Sequence, residues 1–140
     1  RDIKTAMLLG QVMAKQTARA RGFDDVWLVE DGLVTEGASS TAHLITADGR
    51  ILTRAASQAT LPGCTQRALA RLCAAEGLRI EERAFTPEEA QDAAEAFQTS
   101  ASSLVMPVVR IGDRVIGDGK PGPRTRVLQA LYLEAAGVSV

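Results

Sequence analysis

The sequence predicts an α/β domain built on a mixed sheet. Three observations lead there. Apolar spacing along the chain alternates between helical and strand-like periods. Several strand-like runs are joined by tight Asp-Gly turns instead of helices, so part of the pairing has to be antiparallel. The 140 residues, 46% of them hydrophobic, suffice for one buried core.

The elements follow in order. From Lys4 to Arg21 the chain is helical, with Leu8, Leu9, Val12 and Met13 at helical spacing and Gly22 as the stop. The first turns are apolar and the last carries Arg19 and Arg21, which predicts a buried N-terminal end. Strands are expected over Asp25–Glu30, Leu33–Glu36, Ala42–Thr46 and Ile51–Arg54, with turns at Asp31-Gly32 and Asp48-Gly49. The small-residue loop Gly37-Ala38-Ser39-Ser40-Thr41 interrupts this meander. A second helix is predicted over Thr65–Glu76, with Leu69, Leu72 and Cys73 inward and Gly77 ending it. Arg79–Phe85 reads as a strand. Thr86-Pro87-Glu88-Glu89 opens a helix, with Thr86 as N-cap, proline in the first turn and Glu89 completing a capping box. Ala96–Thr99 is a strand running into a second small loop, Ser100–Ser103. A hairpin of Met106–Ile111 and Arg114–Ile116 follows around Gly112-Asp113. The last helix opens after Gly122-Pro123 and directs Val127, Leu128, Leu131 and Ala135 inward.

Composition narrows the function. The net charge of −1 arises from 16 basic and 17 acidic residues, well mixed, with no basic stripe for nucleic acid. Cys64 and Cys73 fall in one predicted helix and stand roughly 13 Å apart along it, too far for a disulfide. A reduced, cytoplasmic protein is the expectation. No apolar run reaches the roughly 20 residues of a membrane span, and no signal peptide opens the chain. The chain begins at Arg1 and enters a helix almost at once, which reads as a piece of a longer polypeptide.

Three features carry possible chemistry. Lys4 is one of three lysines against thirteen arginines, and it sits between Ile3 and the apolar Ala6–Leu9 run. Burial lowers a lysine's pKa and makes the amine nucleophilic, as Schiff-base chemistry requires. Spacing alone favours the plainer alternative, a lysine snorkelling to the surface. The second feature is Val34-Thr35-Glu36-Gly37, a strand ending in a carboxylate that could hold a proton on a ring nitrogen. Taken alone, the plainer reading prevails, a surface glutamate before a turn. The third is Leu61-Pro62-Gly63-Cys64-Thr65 entering a helix, whose free N–H groups and dipole favour an anion. Most such termini bind nothing.

Other candidates fail on their context. Gly117-Asp118-Gly119-Lys120 has the look of a phosphate loop, but Pro121 stands where Ser or Thr is needed. His43, the single histidine, has no partner at metal-ligand spacing and reads as a packed strand residue. Ser39 and Ser40 lack a nucleophile elbow.

The order and spacing of five motifs resemble one family. These are Arg1-Asp2-Ile3-Lys4, Thr35-Glu36-Gly37-Ala38-Ser39-Ser40, Leu61-Pro62-Gly63-Cys64-Thr65, Thr99-Ser100, and Gly117-Asp118-Gly119-Lys120-Pro121-Gly122-Pro123. They look like the class IV (fold-type IV) pyridoxal-phosphate-dependent aminotransferases, and within them most like the D-amino-acid aminotransferases. The resemblance covers essentially the whole chain and implies a C-terminal large domain. Its fold would be a mixed sheet partly closed into a barrel with flanking helices. Residues 1–140 would form one cofactor-binding domain, preceded by a smaller α+β domain.

The resemblance also implies roles. Lys4 would form the internal aldimine and move the proton between substrate and cofactor. Glu36 would pair with the pyridine nitrogen, Leu61 would pack on the ring, and Ser39 and Ser40 would hydrogen-bond on the ring-nitrogen side. Gly63, the Cys64 amide and Thr65 would hold the phosphate, which Ser100 and Ala101 would close from the other side. No metal is implied. Amino acids and 2-oxo acids would be the substrates, and a homodimer the assembly. This 140-residue piece would be inactive alone.

Four positions depart from the family pattern. Thr41 and His43 replace a common Asn and Phe, Ala101 replaces a phosphate-binding Thr, and Cys64 replaces Ile. Branched-chain aminotransferases, R-selective amine transaminases and aminodeoxychorismate lyases share the cofactor and are the alternatives within the family. A non-catalytic phosphate-binding module is the alternative outside it, and it gives Lys4 and Glu36 no work.

Overall fold

The computed structural model describes residues 9–54, 64–75 and 78–137. In chain order the helices are α1 (Leu9–Ala20), α2 (Cys64–Ala75), α3 (Pro87–Gln91) and α4 (Pro123–Ala135). The strands are β1 (Trp27–Glu30), β2 (Leu33–Gly37), β3 (Thr41–Ile45), β4 (Ile51–Thr53), β5 (Ile80–Glu82), β6 (Glu95–Ser100), β7 (Leu104–Val108), β8 (Arg110–Ile111) and β9 (Arg114–Val115).

The local punctuation acts as expected. α1 ends where the Gly22 and Phe23 amides turn back to the carbonyls of Arg19 and Ala18, both at 3.0 Å, which satisfies two carbonyls the helix leaves open. Asp31 and Gly32 both take positive φ, the conformation that closes a two-residue hairpin between β1 and β2. At α3 the capping box is complete: the Glu89 amide donates to Thr86 Oγ1 at 3.1 Å and the Thr86 amide to Glu89 Oε2 at 2.9 Å.

The main sheet runs β5-β4-β3-β6-β7. β4 and β5 are parallel, and the other three pairings are antiparallel. The mixed sheet is therefore as predicted. Side chains alternate across it. Ala42, Leu44, Leu52 and Ala96 face one way and pack with Val34, Phe85 and Ile116 beneath the β1–β2 hairpin. Ile45, Ile51, Phe97 and Val105 face the other way, under Leu69 and Cys73 of α2 and Leu128 of α4.

Among the described residues the strands form three sheets, of two, five and two strands, and no closed barrel is found. Several element boundaries and helix faces need correction. The strand expected to run to Phe85 stops at Glu82, and the Phe85 carbonyl accepts instead from the Val34 amide at 2.9 Å. The Met106–Ile111 strand divides: Leu104–Val108 pairs with β6, and Arg110–Ile111 forms a separate hairpin with β9. The first turns of this helix, expected to be its buried end, fall outside the described residues; within α1, Ala18 is buried and Val12 and Met13 are 52% and 58% exposed. In α4, Leu128 and Leu131 face the core as expected, but Val127 and Ala135 are exposed. Helical rotation by 100° per residue places Thr125 and Leu128 on the sheet side and turns Val127 away.

Candidate functional site

Strand register brings distant segments to one end of the main sheet. Thr41, at the start of β3, pairs with Thr99, near the end of β6. Ser40 and Ser100 therefore lie at the same end. β4 ends there as well, because Thr53 is opposite His43. Since β5 lies parallel to β4, α2 has to run back between them, and its first turn, Cys64 and Thr65, starts at this end.

The carboxylate reaches the same end through a tight turn. β2 carries Thr35, Glu36 and Gly37, all buried, and Glu36 is only 5% exposed. Alternation puts Glu36 on the face of Val34, toward the space between the hairpin and the main sheet. The Thr35 hydroxyl donates to the Leu28 carbonyl at 3.1 Å and ties β2 to β1. The Gly37 amide donates to the Ser40 carbonyl at 2.8 Å, folding the serine loop back on the strand. A Cβ on Gly37 would overlap Ser40 Oγ, so glycine fits this turn without displacing the serine hydroxyl. Ser40 Oγ is itself buried without a hydrogen-bond partner among the described residues. Ser39 beside it is exposed.

The loop after β6 is held by its own hydroxyls. Ser100 Oγ pairs with Ser103 Oγ at 2.6 Å and accepts from the Ser103 amide at 3.1 Å. Ala101 and Ser102 are exposed. Leu104 leaves the loop at φ +58°, a left-handed conformation that costs a side-chain-bearing residue roughly 1–2 kcal/mol.

Two polar linkages, one buried and one half-buried, were not legible in the sequence. His43 is fully buried, stacks on Phe97 with 4.6 Å between centroids, and places Nε2 3.0 Å from Thr99 Oγ1. Burial pushes its imidazole down to about 3, so the ring is neutral. Its packing as a strand histidine was expected, but its bond to Thr99 was not. On the other face, the Trp27 indole N–H donates to Gln98 Oε1 at 2.9 Å, and Gln98 Nε2 donates to Asp25 at 2.8 Å. A glutamine inside the strand Ala96–Thr99 was the available signal for that relay.

Lys4, Leu61 and Gly63 lie outside the described residues. For Cys64 and Thr65 the description covers the backbone turn. Glu36, Ser40, Ser100 and the α2 start thus lie toward one sheet end. A surface cavity of about 330 Å³ opens at the opposite end, between Glu95, Lys120 and Gly122, and takes no part in this arrangement. Cys73 is buried on the sheet-facing side of α2, where burial pushes its thiol up and leaves it unreactive. Among the described residues no cluster could hold a metal ion, and no helix is long and apolar enough to cross a membrane.

A carboxylate, a set of hydroxyls and a helix start toward one sheet end could together hold a phosphorylated, nitrogen-containing ring. The orphaned Ser40 hydroxyl and the glycine turn beside buried Glu36 fit such a group. Comparison with known proteins gives the class: residues 1–111 match the family Amino-transferase class IV, and the chain belongs to it. Members of this family are pyridoxal-phosphate-dependent aminotransferases.

Particular relatives follow. The D-alanine aminotransferase of Bacillus licheniformis is 40% identical over 128 residues, which are 91% of this chain and 45% of that protein. The structure of the T.th. branched-chain amino acid aminotransferase with pyridoxamine 5′-phosphate superposes with a TM-score of 0.87 at 31% identity, covering 91% of this chain and 42% of that one. A hypothetical aminotransferase from Mycobacterium tuberculosis, in its PLP-bound form, gives 0.85 at 27% identity, covering 96% and 46%. The chain thus spans somewhat less than half the length of these relatives.

Proposed function

We propose that this chain is the cofactor-binding half of an aminotransferase that moves an amino group from a D-amino acid to a 2-oxo acid in a ping-pong cycle. The observation that carries the reading is the convergence of the Glu36–Ser40 turn, the Ser100 loop and the α2 start at one sheet end. Substrate handedness is supported by the 40% identity to a D-alanine aminotransferase.

Bound pyridoxal phosphate supplies an electron sink for charge developed at the substrate's α-carbon. This chain's residues do the rest. Lys4 anchors the cofactor and moves the α-proton. Glu36, buried at the strand end, holds a proton on the ring nitrogen. Leu61 packs against the ring, and Ser39 and Ser40 hydrogen-bond around its nitrogen side. The Cys64 amide and Thr65, with Gly63 giving close approach, hold the phosphate at the positive end of α2. Ser100 and the Ala101 amide close the phosphate from the other side.

The rest of the reading extends beyond these residues. A smaller domain supplies further phosphate and substrate-carboxylate contacts, the large domain closes toward a barrel in the whole protein, and two copies pair in the cytoplasm. The 140-residue domain alone is inactive on this reading.

Borohydride reduction of the full-length protein with pyridoxal phosphate, followed by peptide mapping, tests the anchor. A pyridoxyl adduct on the Lys4 peptide is expected, and an adduct absent or confined to Lys15 or Lys120 would sink the reading in favour of a non-catalytic phosphate-binding module. Lys4→Ala should lower turnover by roughly 10²–10⁴-fold, the usual contribution of a positioned proton-transfer group. Assays with D- and L-alanine plus 2-oxoglutarate decide the substrate. Turnover of L-substrates alone would favour the branched-chain reading, which the likeness to the T.th. enzyme supports.

A further inference from the structure

We infer that His43 is a positioning residue: by gripping the Thr99 hydroxyl from the neighbouring strand, it sets the end of β6 from which the Ser100–Ser103 loop springs. The inference rests on the proposed reading in one respect, that this loop faces the cofactor's phosphate.

Three observations carry it. The first is the contact itself. His43 and Thr99 are both buried, at 0% and 2% exposure, and His43 Nε2 lies 3.0 Å from Thr99 Oγ1. His43 pairs with Phe97 in register, so its ring lies along β6 from its own partner and reaches one step further toward the loop. The contact crosses between strands at the last buried position before Ser100.

The second observation is what the histidine leaves unsatisfied. Among the described residues Nδ1 has no hydrogen-bond partner, and neither does the buried hydroxyl of Thr53, directly opposite on β4. Thr53, His43 and Thr99 thus form a polar row across β4, β3 and β6, on the helix-covered face beside Ile45, Ile51 and Phe97. A phenylalanine would stack on Phe97 without stranding a ring nitrogen. The polar ring therefore has no gain in core packing to justify it, and an exceptional buried polar atom calls for another role. Fixing one arrangement of neighbouring elements is what such buried polar contacts can supply.

The third observation is that the loop needs a fixed origin. Ser100 Oγ organises it through Ser103, and Leu104 closes it in a left-handed conformation. Strained backbone persists only when its surroundings over-determine it. Ala101 has no hydroxyl, so at that position only the backbone amide can bind, and its aim depends on where β6 ends. The imidazole is neutral, so the grip does not depend on a charge in the core.

The test uses the full-length protein with His43→Phe, His43→Gln, Thr99→Val and the His43→Phe/Thr99→Val double variant. Hydrogen exchange at the Ala101–Ser103 amides is read without cofactor, and pyridoxal phosphate affinity is read by absorbance titration. Loss of one buried hydrogen bond should speed exchange and weaken cofactor binding by about tenfold in His43→Phe. The double variant should be no worse than the single ones, because both remove the same contact. His43→Gln, which keeps a side-chain amide, should recover part of both readouts. If His43→Phe shifts only the melting temperature, with loop exchange and affinity unchanged, His43 is plain core and the inference falls. Faster loop exchange in a protein that takes up no pyridoxal phosphate would uphold His43 while overturning the aminotransferase reading.

Discussion

Glu95 caps the N-terminus of α4 from another element: its Oε2 accepts from the Thr125 amide at 2.7 Å and the Thr125 hydroxyl at 2.8 Å, while Oε1 accepts from the Arg124 amide at 3.0 Å. Gly122, the residue in the N-cap position, has no side chain to do this. It cannot have one, since a Cβ there would overlap the Glu95 carboxyl carbon. A buried carboxylate at the positive end of a helix meets both hydrogen-bond donors and a favourable dipole.

Glu95→Gln should therefore destabilise the protein by about 1.5–3 kcal/mol, the worth of hydrogen bonds to a charged acceptor. The amide keeps the shape but turns one NH₂ toward N–H donors. Urea midpoints of the two proteins check this, and equal midpoints would mean that the helix start is held by packing alone.

Gly37→Ala should cost about 1–3 kcal/mol, because the new methyl overlaps Ser40 Oγ. Adding Ser40→Ala removes the overlapping atom and should restore most of that stability. Thermal unfolding of the single and double variants measures the coupling. A double variant as unstable as Gly37→Ala would show that backbone geometry, not the serine hydroxyl, excludes a side chain at 37.

His43 should steepen the loss of stability in acid. Its pKa falls from 6.5 to about 3 on folding, through burial. Between those values the unfolded chain holds the extra proton, so this contribution is fully present above the unfolded value and is lost as pH falls. The slope is at most about 1.4 kcal/mol per pH unit. Comparing denaturation midpoints near about pH 5 and about pH 7, His43→Phe should show the smaller difference. Identical differences in the two proteins would mean that His43 does not titrate on unfolding.

Thr86→Ala should cost about 1 kcal/mol, the usual worth of an N-cap hydroxyl. The capping box joins Thr86 and Glu89 reciprocally. Glu89→Ala in that background should add little, since half of the box is already gone. Additive losses in a double-mutant cycle would show two independent contacts.

Much of the fold was legible because its signals are local. Gly22 ends α1, Asp31-Gly32 closes a hairpin, and Thr86 with Glu89 starts α3, as their spacing predicted. The misjudged elements share a cause. Val12, Met13 and Val127 are apolar at helical spacing yet exposed, since spacing says which residues share a face and not what covers it. The candidate site was legible as motifs, and Glu36, Ser40, Ser100 and the Cys64-Thr65 turn all stood out by residue type and order.

The sequence by itself determined the segments, their caps and turns, and the family they resemble. Those features depend on hydrogen bonds and periodicities that span a few residues. Only the tertiary structure decided which segments meet. The pairing of Thr41 with Thr99, the grip of His43 on a hydroxyl 56 positions away and the capping of α4 by a carboxylate 30 positions upstream all depend on strand register and on the crossover through α2. Register is selected by burying two faces of one sheet at once, and that is a property of the assembled core, not of any stretch of chain.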